Sequence, residues 1–134
     1  MKNKRFLLII AVFILLILMV GALSCKKSGK FKIGESVAAK WSDDNYYLAV
    51  IKTANGGMYE VDYADGDKGS VQEADILKID PNISLATGDK VIAVWTTARF
   101  YSGVIEEVKS GSAIVKWDDG SEPSEVMFGK IVKM

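Results

Sequence analysis

Gly34-Glu35-Ser36-Val37-Ala38-Ala39-Lys40-Trp41 opens a passage that Gly88-Asp89-Lys90-Val91-Ile92-Ala93-Val94-Trp95 opens again 54 residues later. The correspondence runs on without a gap. Tyr46-Tyr47 returns as Phe100-Tyr101, Val50-Ile51 as Val104-Ile105, Val61 as Val115, Tyr63 as Trp117, and Asp65-Gly66 as Asp119-Gly120. One extra residue then enters the second copy, so that Val71 answers to Val126. A fixed period of this kind means two copies of one supersecondary unit. Each copy is near the size at which a single core is marginal, so a rigid tandem that shares buried surface is expected rather than two independent beads.

Within a copy the pattern is strands and turns. Ser36–Trp41 and Lys90–Trp95 are short apolar runs, followed across a polar loop by Tyr46–Lys52 and Phe100–Val108. Asn55-Gly56-Gly57 and Ser110-Gly111 are hairpin signals, because glycine and asparagine accept the positive φ that tight hairpins need. Tyr59, Val61 and Tyr63 alternate with Glu60 and Asp62, and Ala113, Val115 and Trp117 with Ile114 and Lys116. Such alternation puts one face in a core and the other in water. Asp65-Gly66 and Asp119-Gly120 turn the chain again, short strands follow near Val71 and Val126, and Ile76-Leu77 and Ile131-Val132 close each unit. Five short strands per copy predict an all-β protein of two tandem five-stranded SH3-like barrels, since closure protects the edges of so small a sheet. The expected boundaries are 33–79 for the first barrel, 80–87 for a linker containing Pro81, and 88–134 for the second.

The N-terminal residues read differently. Lys2, Lys4 and Arg5 precede an uncharged stretch, Phe6–Leu23, and then Ser24-Cys25. A basic start, an apolar stretch and small residues form an export signal. Ala22-Leu23-Ser24-Cys25 resembles a bacterial lipobox, whose cysteine is acylated and becomes the new N-terminus. Residues 1–24 are therefore expected to be a lipoprotein signal peptide, with lipid on Cys25 and a basic tether over 25–32. The resemblance implies a lipid-anchored protein of the bacterial envelope. Lys26, in place of an acidic residue after the cysteine, favours the outer membrane. An uncleaved anchor is the alternative, because about 18 apolar residues can span a bilayer.

Charge and residue inventory narrow the function. From Ile33 onward there are 10 Lys and Arg against 17 Asp and Glu, an acidic balance that argues against nucleic acid and suits either a cationic ligand or mere solubility. The chain has no histidine and only one cysteine. No Cys/His or Ser/His pair is therefore available for nucleophilic catalysis. Neither an enzyme nor a cofactor is expected. The run Asp62-Tyr63-Ala64-Asp65-Gly66-Asp67 lacks the spacing of a helix–loop–helix calcium loop, and no metal site is expected.

The ordered set Gly-Asp-x-Val-x-Ala-x-Trp, aromatic-Tyr-x-Gly-x-Ile and Val-x-aromatic-Asp-Asp-Gly resembles the Tudor superfamily, most of all its tandem Tudor domains, with Agenet and plant Tudor-like domains behind. The resemblance covers nearly all of 33–134, twice. It implies five-stranded barrels that hold methylated lysine or arginine in an aromatic cage at one end. Carried over residue by residue, the cage positions are Trp41, Tyr47, Tyr63 and Asp65 in the first copy and Trp95, Tyr101, Trp117 and Asp119 in the second. Asp67 and Ser121 stand where a further aromatic is often found. Asp43 and Asp44 in the first-copy loop, and Asp118 beside Asp119 in the second copy, would strengthen the negative field, and Arg99 replaces Asn45 in the second-copy loop, so the two mouths should differ.

The chemistry of such a cage is sound. A methylated ammonium is weakly hydrated, aromatic faces attract it by about 0.5–2 kcal/mol per contact, and a carboxylate adds Coulomb attraction. The same residues also read as core: Trp41, Tyr63, Trp95 and Trp117 are in phase with apolar neighbours, where aromatics usually pack. Tyr46 and Phe100 favour that reading more strongly, and Asp65 and Asp119 suit turn stabilisation as well as ligand contact. Two functional expectations follow. One is a membrane-tethered interaction module whose strand edges or inter-copy groove bind a protein partner. The other is a reader of methylated or cationic side chains.

Overall fold

A computed structural model describes residues 29–134; the apolar segment and Cys25 lie outside the described residues. Ten strands form in two sets of five: β1 (Ser36–Lys40), β2 (Tyr46–Asn55), β3 (Met58–Tyr63), β4 (Lys68–Gln72) and β5 (Ile76–Lys78), then β6 (Lys90–Val94), β7 (Phe100–Val108), β8 (Ser112–Trp117), β9 (Ser124–Met127) and β10 (Ile131–Lys133). Among the described residues the helical elements are single 3-10 turns, Glu73–Asp75 and Phe128–Lys130, each leading into the last strand of its unit. Both sheets are antiparallel, ordered β4-β3-β2-β1-β5 and β9-β8-β7-β6-β10.

One face of every strand in a sheet meets a single cluster, so each sheet must curl into a barrel. In the first barrel Val37 and Ala39 of β1, Ala49 and Ile51 of β2, Tyr59, Val61 and Tyr63 of β3, Val71 of β4 and Ile76 of β5 are all buried together. The second repeats the arrangement with Val91, Ala93, Ile105, Ala113, Val115, Trp117, Val126 and Ile131. The copies match even in their irregularities. The ladder between β2 and β3 slips between Ile51 and Thr53, and the ladder between β7 and β8 slips between Ile105 and Glu107. A bulge at this point sharpens the local bend that a five-stranded barrel needs.

The repeat extends further toward the N-terminus than the boundaries drawn at residues 33 and 88. Phe31 is 2% exposed inside the first barrel, edge-on to Tyr59 at 5.5 Å between ring centroids. Leu85, 54 residues on, packs against the second core. The surrounding bonds match as well: Glu35 N–H donates to Lys32 O and Asp89 N–H to Ala86 O, both at 3.1 Å. Phe31, Lys32, Leu85 and Ala86 thus carry packing contacts and hydrogen bonds of the barrels that follow them. The apolar residues around them are too few to make a periodic signal.

A third cluster joins the barrels. Ala38, Ile79, Ile92, Phe100 and Val132 are buried together, with Tyr46, Leu48, Leu77 and Val94 packed against them. Ala38 and Ile92 occupy the outward face of β1 and β6, the face opposite Val37 and Val91. Their burial explains why those strands read as continuous apolar runs rather than alternating ones. Tyr46 and Phe100, favoured above as core, belong to this seam and not to either barrel interior. Backbone pairing crosses the seam as well: Leu48 N–H donates to Ala98 O at 2.8 Å, and Tyr47 forms an isolated antiparallel bridge with Arg99.

Candidate functional site

Each barrel gathers its three predicted aromatics at one end. In the first, Tyr47 stands at a right angle to two neighbours, 5.8 Å from Trp41 and 6.4 Å from Tyr63 between ring centroids. In the second, Tyr101 lies 5.4 Å from Trp95 and 6.5 Å from Trp117 with similar edge-to-face geometry. There Trp95 also stacks on Trp117 at 5.7 Å with only 29° between the planes. These separations are those of aromatic pairs in direct contact.

The members differ in exposure. Tyr63 and Trp117 are buried at 5% and 3%, whereas Trp41 and Trp95 are 41% and 40% exposed. Tyr63 and Trp117 are inner-face residues at the ends of β3 and β8, which explains their burial. Their polar atoms are satisfied inside: Tyr63 OH donates to Lys40 O at 2.9 Å, and Trp117 Nε1–H donates to Ser124 Oγ at 3.0 Å. Trp41 and Trp95 follow the last residues of β1 and β6, so their rings reach past the barrel end into solvent. The inner aromatics form a floor and the two tryptophans a half-exposed rim.

The carboxylate on the first cluster is that of Asp43. Its Oδ2 accepts from Tyr47 OH at 2.6 Å and its Oδ1 from Asn45 N–H at 3.0 Å. The Tyr47 hydrogen bond, then that from Asn45, holds its carboxyl down at about 2, and the nearby Arg99 charge works in the same direction. The same hydrogen bond raises the Tyr47 phenol, helped by desolvation. Burial raises the Tyr63 phenol, with smaller contributions from the Asp65 and Asp43 charges. Three groups at this mouth therefore settle into one state at neutral pH: an ionised carboxylate and two neutral phenols.

Asp65 and Asp119 serve their turns. Asp65 Oδ1 accepts Asp67 N–H at 3.0 Å, and Asp119 Oδ1 accepts Ser121 N–H at 2.9 Å. The hydrogen bonds from Ser121 keep the Asp119 carboxyl below its ordinary value. Asp65 still contributes field at Tyr63, but neither aspartate is hydrogen-bonded to a cluster aromatic. Thr97 holds the place of Asp43 in the second copy, and the second cluster faces a cation instead. The Arg99 guanidinium lies over the Tyr101 ring at 4.6 Å. Its Nε is buried with no hydrogen-bond partner among the described residues. Arg99 had shown in the sequence as a difference in loop charge. Its position over the ring could not be read there, because it depends on the path of the loop.

That path is unusual. Thr97 and Ala98 both have positive φ, at 47° and 67°, whereas the matching first-copy loop has only Asp44, at 64°. Left-handed backbone at two successive non-glycine residues is strained by roughly 1–2 kcal/mol each. Cross-seam pairing of Ala98 and Arg99 with Leu48 and Tyr47 holds the loop in place.

Two other concavities combine mainly apolar walls with charged residues. One of about 430 Å³ lies where the barrels meet, between Glu35, Lys78, Asp80 and Gly129, and another of about 560 Å³ follows the β3–β4 edge past Lys52, Glu60 and Lys68. Among the described residues no cluster of His, Cys, Asp or Glu is arranged to hold a metal ion.

Fold and site together define an all-β tandem of five-stranded barrels, each with an aromatic cluster at its mouth. The chain belongs to the family described as "Domain of unknown function (DUF4537)", whose model matches residues 34–123 and so runs from β1 to β8, across the first barrel and into the second. No curated protein matches it. Among solved structures it is similar to the tandem Agenet domain 3-4 of ADCP1, at 19% identity over 78% of this chain and 80% of that one, with a TM-score of 0.46. It is also similar to AGDP1 AGD34 of Arabidopsis thaliana, at 18% identity over 78% and 82%, with a TM-score of 0.49.

Proposed function

We propose that this chain is a non-enzymatic binding module that takes a cationic side chain of a protein or peptide partner at the mouth of its first barrel. The observation that carries the reading is the half-exposed Trp41 edge-to-face with Tyr47, which in turn meets Tyr63, with the ionised Asp43 carboxylate hydrogen-bonded to Tyr47. A large, weakly hydrated ammonium, as on methylated lysine, gains from aromatic faces about 0.5–2 kcal/mol per contact. Asp43 supplies the countercharge, and its hydrogen bond to Tyr47 fixes both groups before any ligand arrives, which limits the entropy lost on binding. The acidic balance of the folded part favours the approach of cationic segments.

Peptides carrying trimethyllysine, dimethyllysine or unmodified lysine, titrated while tryptophan fluorescence is followed, test this reading. Saturable binding is expected, tightest for the methylated forms and lost in Trp41→Ala. No response at millimolar peptide, or equal response in Trp41→Ala, refutes it.

The second part of the proposal concerns place. The lipobox-like Ala22-Leu23-Ser24-Cys25 behind a charge-free stretch supports lipid attachment at Cys25 and display of the barrels at a bacterial envelope membrane. Expression in bacteria fed an alkyne-bearing fatty acid should label the wild type and not Cys25→Ser. Absence of label, or equal label in the variant, refutes lipidation.

A further inference from the structure

Asn45 and Arg99 hold equivalent positions in the two copies, and their carbonyls do the same work: Trp41 N–H donates to Asn45 O at 2.9 Å and Trp95 N–H to Arg99 O at 3.3 Å. Their N–H groups and side chains differ: Asn45 N–H donates to Asp43 Oδ1, whereas Arg99 N–H donates to Thr96 O. Asn45 turns back on its own loop, its Nδ2 donating to Asp43 O at 3.3 Å. Arg99 lies over the Tyr101 face at 4.6 Å, in the position a bound cation would take up on that ring.

Three further observations place this guanidinium as a fixed part of the second mouth. The loop bearing it is pinned to the first barrel through Leu48 and Tyr47. Its Nε is closed off from solvent with no hydrogen-bond partner among the described residues, and a guanidinium, being weakly hydrated, stacks readily on an aromatic face. The mouth it enters has no counterpart of Asp43, because Thr97 stands there, so on Tyr101 the guanidinium meets no carboxylate at that loop position, although its charge also reaches Asp43 across the seam.

We infer that Arg99 is a built-in occupant of the second aromatic cluster, so that this tandem binds one cationic side chain and not two. The inference rests on the cation-binding reading above and adds which mouth is available. In the first mouth aromatic faces and the Asp43 carboxylate act together on an incoming ammonium. In the second a ligand meets a like charge already stacked on Tyr101. Arg99 is thus a specificity-determining residue, and Arg99→Asn, which installs the first-copy residue, frees the second cluster without altering the backbone bond to Trp95.

The three tryptophans give three reporters, Trp41 in one mouth and Trp95 and Trp117 in the other. Their indole N–H resonances, assigned by single Trp→Phe changes, are followed while a trimethyllysine peptide is added. In the wild type the Trp41 signal should move, and half-saturation at Trp95 should need at least about tenfold more peptide. In Arg99→Asn both signals should move within about threefold of each other. Arg99→Lys, which keeps the charge and loses the planar stack, should fall between the wild type and Arg99→Asn.

Equal movement of Trp41 and Trp95 in the wild type overturns the inference. So does a silent Trp95 in Arg99→Asn while Trp41 responds. A Trp41 signal that stays still in both proteins overturns the cation reading itself. The occupancy of Tyr101 has its own readout, independent of any peptide. The Arg99 Nε–H resonance should be shifted upfield by the ring and should lose that shift in Tyr101→Leu. An ordinary Nε–H shift in the wild type refutes the stacked guanidinium.

Discussion

Phe31→Ala tests whether the residues ahead of the first strand belong to the barrel. The ring is 2% exposed and packs edge-on against Tyr59 at 5.5 Å. A buried aromatic side chain hides about 150–250 Å², which at about 25 cal/mol per Å² corresponds to roughly 4–6 kcal/mol. That is an upper bound, because the unfolded chain already hides part of the area. Truncation of buried Phe to Ala generally costs about 3–5 kcal/mol. Small domains hold only about 5–15 kcal/mol in total, so the loss should be plain in urea denaturation followed by tryptophan fluorescence. With a slope near 2 kcal/mol per M, the midpoint should fall by about 1.5–2.5 M. A chain beginning at Ile33 should fall as far, whereas a chain beginning at Gly29 should keep its midpoint. If chains starting at Gly29 and at Ile33 agree within about 0.5 kcal/mol, a range ordinary for surface changes, Phe31 is not a core residue and the reasoning fails.

Other expectations follow from the same packing. Ile92→Asp places a charge in the seam between the barrels, and should replace one urea transition by two and expose residues 79–88 to protease; a single unshifted transition refutes a cooperative tandem. Gly103→Ala should destabilise by about 1–3 kcal/mol through overpacking, since a Cβ there would lie 2.6 Å from Val115 Cγ1 and 2.8 Å from Lys116 O; an unchanged thermal midpoint contradicts it. Asp43→Asn should weaken cationic peptide binding several-fold, with the difference shrinking as salt rises; equal affinity at low salt would exclude that carboxylate. The Asp43 carboxyl is depressed to about 2, so its contribution to binding and folding is present above the unfolded value near 3.9 and lost as pH falls through about 2. Affinity measured between pH 4 and pH 7 should therefore be flat, and a midpoint near pH 4 would refute the depressed carboxyl.

The fold was legible because its signals are local. Glycine at Gly56, Gly66 and Gly111 marks turns that only positive φ can make, and the alternation Tyr59-Val61-Tyr63 marks a half-buried strand wherever it occurs. The repetition removed the usual ambiguity of short apolar runs, since every strand could be read twice. Phe31 and Leu85 escaped because Phe31 with Ile33, and Ile83 with Leu85, are too short an alternation to mark a strand; only the 54-residue offset, extended backward past Gly34 and Gly88, would have found them. The aromatic clusters were legible as a set, because Trp41, Tyr47 and Tyr63 share an inner-face phase and a barrel end. Their division into floor and rim was not, since it depends on how far past its strand end each ring reaches.

The sequence by itself determined two five-stranded barrels, the aromatics at their ends and an acidic folded part, all consequences of period, turn chemistry and composition within one copy. Tertiary structure alone decided what lies between the copies. Ala38, Ile92 and Phe100 are apolar in either reading, and only the docking of one barrel on the other makes them a seam. The same docking bends the loop before β7 into left-handed backbone and sets Arg99 over Tyr101, while Asn45 turns away from its cluster. Both copies encode nearly the same barrel. Their mouths differ because a side chain's surroundings are fixed by contacts distant in sequence, which no local pattern records.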